Sequence, residues 1–230
     1  MLKLGNYPFE NSPLELSLKN SASQDTDPDF WRFEKAHLEA QFREQVRPRL
    51  ARSEIRHLSI FGLAPMPLLM VLGRLLSDIP AAEVYQLHRE PADWLWQNDP
   101  EPFDYYIHRP DSREKIVSLN LSLSATIEDT RIAKALPGPR SAWTMTITEP
   151  NNDFLKSRGQ LRKFREAFRK LLMDIHALHG DEAVIHLFPA IPVSVAVDVG
   201  RVWMPKADLP IRVYDQNRAL GGFAYALDLG

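Results

Sequence analysis

The sequence predicts an α/β protein built on open, mostly parallel sheets. Two observations carry that prediction. The first is the stretch from Ala183 to Asn217. An apolar β run, Ala183–Phe188, meets the turn Pro189-Ala190-Ile191-Pro192. A small-residue helix candidate, Val193–Arg201, and a second β run, Leu209–Tyr214, follow, and the run breaks at Asp215-Gln216-Asn217. The alternating valines of Val193–Arg201 also permit a strand. The second observation is that the first half follows the same plan. His57–Phe61 is a β run, Gly62-Leu63-Ala64-Pro65 a turn, Pro67 opens a helix to about Ser77, and Glu83–Leu87 is the next strand. In open α/β sheets ligands bind beyond the carboxyl ends of the strands.

The remaining elements follow in order. Residues 1–28 are polar and proline-punctuated and read as an arm from a preceding module, with one short strand candidate at Leu14–Leu18. Asp29–Arg52 is helical, with Asp29 placed to cap it and Pro48 to end or kink it. The helix after Pro67 is apolar on nearly every side and is expected to be buried. Pro91–Asp111 is an irregular aromatic segment. Ile116–Ser124 alternates apolar and polar residues, the pattern of a half-exposed strand. The boundary between the halves is expected near Leu136-Pro137-Gly138-Pro139, giving units of about 29–136 and 137–230. Trp143–Thr148 is a strand, Glu149-Pro150-Asn151-Asn152 a turn, and Leu155–His179 a long helix closed by Gly180. Gly221–Leu229 is the last strand.

Composition narrows the function. The chain has 230 residues, 44% hydrophobic and 25% charged, enough for a buried core. With no cysteine, thiolate metal sites and cysteine nucleophiles are excluded. Cytoplasmic residence is expected, and no apolar run is long enough to span a bilayer. The net charge of −2 argues against wrapping long nucleic acid but leaves room for a small anionic ligand. None of the seven histidines has a metal-ligand spacing, and no GxGxxG, Walker or GxSxG motif occurs.

Binding chemistry concentrates at the strand ends. Those loops offer backbone N–H groups, prolines, amide side chains and aromatics, and the helix starts behind them favour phosphate. The expected ligand-binding positions in one half are Leu63, Ala64, Pro65, His88, Arg89 and Trp94. In the other they are Thr148, Glu149, Asn151, Lys156, Pro189, Pro192, Ser194, Tyr214 and Gln216. No catalytic residue, metal or cofactor is expected. Trp94 and Trp96 follow a strand end, where an exposed indole would stack a base for about 1–3 kcal/mol; core packing is the other reading of these rings. The Arg/Lys-rich stripe Arg158, Arg162, Arg165 and Arg169 reads mostly as a solvated helix face, except that Lys156 and Arg158, in the first turns beside the Glu149–Asn152 loop, are placed to reach a phosphate. Trp31, Trp143 and Trp203 read as core.

The C-terminal block also carries a family resemblance. Phe188-Pro189-Ala190, Pro192, Ala196, Gly200-Arg201, Met204-Pro205-Lys206 and Tyr214-Asp215 resemble the closing motif of SAVED domains. SIFGLAPMPLLMVLG is similar to that family's earlier strand-turn-helix. The resemblance covers about 29–230. It implies two fused Rossmann-like (CARF-like) units related by a pseudo-twofold. It also implies a sensor in a bacterial anti-phage (CBASS) effector, with a cyclic di- or trinucleotide second messenger held between the halves. Self-association on binding would activate a fused effector domain, most like an HNH DNA endonuclease absent from this chain. No membrane and no direct DNA contact are expected. Three other functions stay open: a ring-nuclease-like enzyme that cleaves cyclic nucleotides, with His88 its one candidate acid/base, a small-molecule metabolic enzyme on a Rossmann-like sheet, disfavoured by the missing cofactor fingerprints, and a ligand-free interaction module.

Overall fold

The computed structural model describes residues 13–18, 24–27, 29–77, 79, 82–99 and 102–230. Most of the predicted arm therefore lies outside the described residues. Leu14–Leu18 has no regular structure, but Leu14, Leu16 and Leu18 pack on the core.

The predicted first helix is present as α1 (Phe30–Gln41) and α2 (Arg47–Ala51), joined by a π-helical turn, Phe42–Val46. Pro48 lacks an N–H and sits in the first turn of α2, so the bonding pattern changes just before it. Asp29 holds the N-cap position of α1 as expected, but its carboxylate makes no capping bond and accepts from Arg32 instead.

The first half then forms β1 (Leu58–Phe61), α3 (Met66–Leu75) and β2 (Ala82–Tyr85). β1 and β2 pair in parallel. The remaining elements are β3 (Tyr106–His108), β4 (Ile116–Ser122), α4 (Asp129–Ala135), β5 (Arg140–Thr146), α5 (Arg158–His179), β6 (Ile185–Ala190), α6 (Val193–Val202), β7 (Ile211–Asn217) and β8 (Gly222–Asp228). Six of these strands make one sheet in the order β3-β5-β4-β6-β7-β8. β5, β4, β6 and β7 run parallel, and the two edge strands run antiparallel. The fold is mixed α/β with mostly parallel sheets.

β4 differs from its half-exposed prediction. It sits between β5 and β6, and Val117 through Ser122 are buried on both faces. Val117, Leu119 and Leu121 meet the main core, while Ser118, Asn120 and Ser122 line the opposite face. The larger sheet is thus continuous across Leu136–Pro139, joining β3 and β4 from before that point to strands after it.

α5 begins with a local signal. Ser157 Oγ accepts from Gln160 N at 3.1 Å, and Gln160 Oε1 accepts from Ser157 N at 3.1 Å. This reciprocal capping box satisfies two N–H groups that a helix start leaves open. At the other end Gly180 takes φ 77°, and its N–H closes on His176 O. Leu161, Phe164, Phe168, Leu171 and Ile175 fill one face of the core, and Trp31, Trp143 and Trp203 are buried as expected.

Candidate functional site

The two strand-turn-helix segments superimpose in register as sequences. Phe61 matches Phe188, Pro65 matches Pro192, and Gly73-Arg74 matches Gly200-Arg201. The structure uses these matches reciprocally. A Cβ built on Gly73 would lie 1.9 Å from Val197 O, and one on Gly200 would lie 1.9 Å from Met70 O. Only glycine permits helix backbones to approach this closely. The stacked pairs match too: Phe61 lies on Tyr85 with centroids 4.9 Å apart, and Phe188 on Tyr214 at 4.4 Å.

The direction of α6 brings both helix starts to one edge. Ser194, at its first turn, donates from Oγ to Gln86 Oε1 at 2.8 Å, just past β2. Arg201, in its last turn, donates to Ala82 O at 2.9 Å, at the start of β2. α6 therefore runs back along β2, as α3 does within its own β-α-β unit. The turns Gly62–Pro65 and Pro189–Pro192 then open on the same side, with N–H groups and the positive ends of two helix dipoles aimed there.

The surrounding loops are tied to this edge. Leu123 N and Ser124 N both donate to Ala190 O, at 3.0 and 2.7 Å, and Asn151 N donates to Leu123 O at 3.1 Å. Arg89 N donates to Asp153 Oδ1 at 3.3 Å. Lys156 Nζ pairs with Asp153 and donates to Glu90 O at 3.4 Å. Burial raises the Asp153 carboxyl, but hydrogen bonds from Lys156 and the Arg89 amide outweigh it and hold its pKa below the usual range.

His88 is buried, and neither ring nitrogen makes a hydrogen bond of ordinary geometry. Burial lowers its pKa and Lys156 adds to this, against Asp93, Asp153 and the Leu95 backbone. Its imidazole is neutral near pH 7. Trp94 is half-buried with its ring edge-on to Phe61, centroids 5.0 Å apart. Leu63 is 70% exposed at the rim, Ala64 and Pro65 lead into α3, and Pro189 and Pro192 are buried. Thr148, Glu149 and Asn151 are exposed on the β5–α5 loop, where Glu149 O accepts from Asn151 Nδ2.

Tyr214 and Gln216 occupy a different place. Tyr214 stacks on Phe188 and bonds His186 on the face covered by α4, and Gln216 accepts from Arg131 of α4. No contact joins either residue to the His88–Lys156 group.

Sequence reasoning missed Gln86, whose amide oxygen accepts from Ser194. Trp96, the second tryptophan singled out after that strand end, stands between His88 and Tyr85 and packs on the core. The basic stripe of α5 is exposed over Arg158 and Arg162, as expected, and is also ion-paired. Arg165 donates to buried Asp198 at 3.0 Å, Arg169 to buried Asp208 at 2.7 Å, and Arg158 lies 2.5 Å from Glu83. Among the described residues no group of His, Asp and Glu is placed to hold a metal ion, and no helix is long and apolar enough to cross a membrane.

Two matching strand-turn-helix segments whose helices pack glycine to backbone define a mixed α/β protein with an internal repeat. The chain belongs to the SAVED family, the "SMODS-associated and fused to various effectors sensor domain", whose model matches residues 38–229. It is similar to the Acinetobacter baumannii Cap4 SAVED/CARF-domain containing receptor. Against that receptor with the cyclic trinucleotide 2'3'3'-cAAA, the TM-score is 0.62 at 14% identity, over 86% of this chain and 44% of the receptor. Against the receptor with 3'3'3'-cAAA, the TM-score is 0.63 at 15% identity, over 89% and 46%. No curated protein matches the sequence. The chain thus spans less than half the length of the receptor chains it resembles.

Proposed function

We propose that this chain is the cyclic-oligonucleotide sensor of a bacterial anti-phage effector and holds one cyclic di- or trinucleotide between its halves. The observation that carries this is the reciprocal Gly73/Gly200 packing, which aligns two phosphate-favouring helix starts on one edge. Family membership and the cyclic trinucleotides of the Cap4 receptor support it. Leu63–Pro65, His88, Arg89 and Trp94 approach from one half. Thr148–Asn151, Lys156, Pro189, Pro192 and Ser194 approach from the other, with Tyr214 and Gln216 reached only by an extension toward α4.

The mechanism is binding rather than catalysis. Amides and Lys156 neutralise phosphates, and Arg89, whose side chain is exposed, supplies a second cation. His88, buried and neutral, is better suited to hold shape than to shuttle protons. Ligand capture promotes self-association in the cytoplasm and switches on a fused effector, taken to be an HNH endonuclease. The two CARF-like units of 29–136 and 137–230 remain the proposed division, with β3 and β4 crossing into the sheet of the second unit.

The test is a melting-temperature titration against cyclic di- and trinucleotides and their linear forms, since a ligand that binds only the native state raises stability by mass action. A rise with one cyclic member and none with its linear form is expected, together with a larger sedimentation coefficient in its presence. Loss of intact ligand on incubation would instead support the ring-nuclease reading. Self-association that is independent of any nucleotide would support the interaction module.

A further inference from the structure

Arg43, Arg47, Arg49, Arg52 and Arg56 crowd into one short stretch that holds only two acids, Glu44 and Glu54. The stretch carries +3 in a chain whose net charge is −2. All five arginines are exposed. On α5, Arg165 and Arg169 are committed to buried carboxylates. The arginines of this stretch are not. Arg43 and Arg52 meet only their exposed near neighbours, Glu44 at 3.6 Å and Glu54 at 3.2 Å, and such surface pairs hold a guanidinium weakly. Among the described residues Arg47, Arg49 and Arg56 have no ion pair.

The backbone under these side chains is fixed. Arg43 lies in the π-helical turn and Arg47 opens α2. After α2 the chain turns back on the helix: Ser53 takes φ 57° and its N–H donates to Leu50 O at 3.0 Å, while Glu54 N donates to Arg49 O at 2.9 Å. Ile55 N reaches the same oxygen at 3.4 Å, which returns the chain at Arg56 to the backbone of Arg49. Two features give the patch its place. Arg56 precedes β1 by two residues, so the patch lies at the opposite end of that strand from the turn Gly62–Pro65. The arm comes in beside it: Ser17 N donates to Gln41 Oε1 at 3.0 Å and Gln41 Nε2 to Ser17 O at 3.2 Å, two residues before Arg43.

Unpaired guanidinium groups on a fixed backbone suit phosphate oxygens, which they bond in pairs. The patch lacks what other anionic partners need. No large apolar side chain is exposed between Arg43 and Arg56. That removes the stacking platform of a single-strand binder, the wedge that enters a membrane surface and the apolar anchor of a protein hot spot. A duplex needs none of these, because phosphate contacts alone supply its sequence-independent binding. We infer that this patch grips the backbone of duplex DNA on the side where the arm leads toward the preceding module. The choice of DNA over RNA rests on the proposed endonuclease effector. The site revises the expectation that this domain makes no direct DNA contact, and it leaves the messenger edge free.

The experiment follows fluorescence anisotropy of a labelled DNA duplex of about 20 base pairs titrated with the whole chain between about 50 and 200 mM salt, the range over which phosphate contacts weaken most visibly. Saturable binding is expected, with log affinity falling against log salt at a slope of about −3 to −4, the value for three to five neutralised phosphates. Combining Arg47→Glu, Arg49→Glu and Arg56→Glu should weaken binding at least tenfold and flatten the slope by about 2 to 3. The combined variant should melt close to the parent, since none of the three holds an ion pair. Arg162→Glu, an exposed change on α5, should leave binding within about twofold. The melting-temperature rise with a cyclic nucleotide should survive in the combined variant. If DNA binds and no cyclic nucleotide raises the melting point of either protein, the sensor reading fails and the patch stands. DNA affinity unchanged in the combined variant, no binding at the lowest salt, or tighter capture by duplex RNA or anionic lipid vesicles than by DNA would overturn the site.

Discussion

Ser194, at the start of α6, bonds to Gln86, just past β2, and both are buried. Ser194→Val removes the hydroxyl and leaves Gln86 Oε1 only the longer bond from Ser194 N at 3.3 Å, a loss of about 1 kcal/mol. Urea denaturation should show that loss, and ligand affinity should fall with it because α6 starts at this residue. Trp94 carries a second prediction. From sequence alone, replacing it affects only the ligand. With its ring edge-on to Phe61, Trp94→Ala should also cost stability, about 1–2 kcal/mol for a half-buried aromatic pair. A melting point unchanged from the parent would return Trp94 to the exposed role. The repeated strand, proline turn and helix was legible as a pattern, while the letter match of Phe61/Phe188, Pro65/Pro192 and the Gly-Arg pairs emerges only once α3 and α6 are seen packed on each other. Gln86 was not, because its partner is 108 residues away and nothing local marks it.

At the scale of elements, the α3–α6 crossing depends on two glycines. A methyl at Gly200 would need Met70 O, a backbone atom, to move. Gly200→Ala should therefore cost about 3 kcal/mol, the upper part of the usual range for overpacking. Gly73→Ala should match it, since the contact is reciprocal. Denaturant midpoints for both variants check this, and a loss at only one position would break the equivalence of the halves. The long, strongly periodic elements were legible: α5 from its apolar face and α3 from its proline start. β3 was not, because three residues in a proline-rich segment become a strand only by pairing with β5. α4 was missed for a related reason, being short and buried mainly through Ile132. β4 was found but its setting was not, since alternation cannot distinguish a solvent face from a buried polar one lined by Ser118, Asn120 and Ser122.

For the molecule as a whole, acid response tests the electrostatics. His88, His179 and His186 all have pKa values lowered first by burial. A lowered histidine contributes stability that is full above its unfolded pKa, about 6.5, and is lost as pH falls below it. Asp215 acts the other way. Burial raises it to about 6, so its effect on stability becomes more favourable as pH falls through 6 toward the ordinary carboxyl value of 3.8. Asp215→Asn should therefore steepen the loss of stability between pH 6 and 4, read as denaturant midpoint against pH. A parallel curve would mean that Asp215 titrates normally. The parallel core of the sheet was legible as a class, but its strand order was not, because order is set by pairings between distant segments.

The central claim is one cyclic messenger held between two halves, and calorimetric titration of the chain with the cyclic nucleotide that raises its melting point tests it most directly. One ligand per chain is predicted, with affinity lowered at least tenfold by Leu63→Glu in the first half and, separately, by Lys156→Glu in the second. Binding that neither substitution changes, or no binding by any cyclic member to the folded chain, would contradict the account.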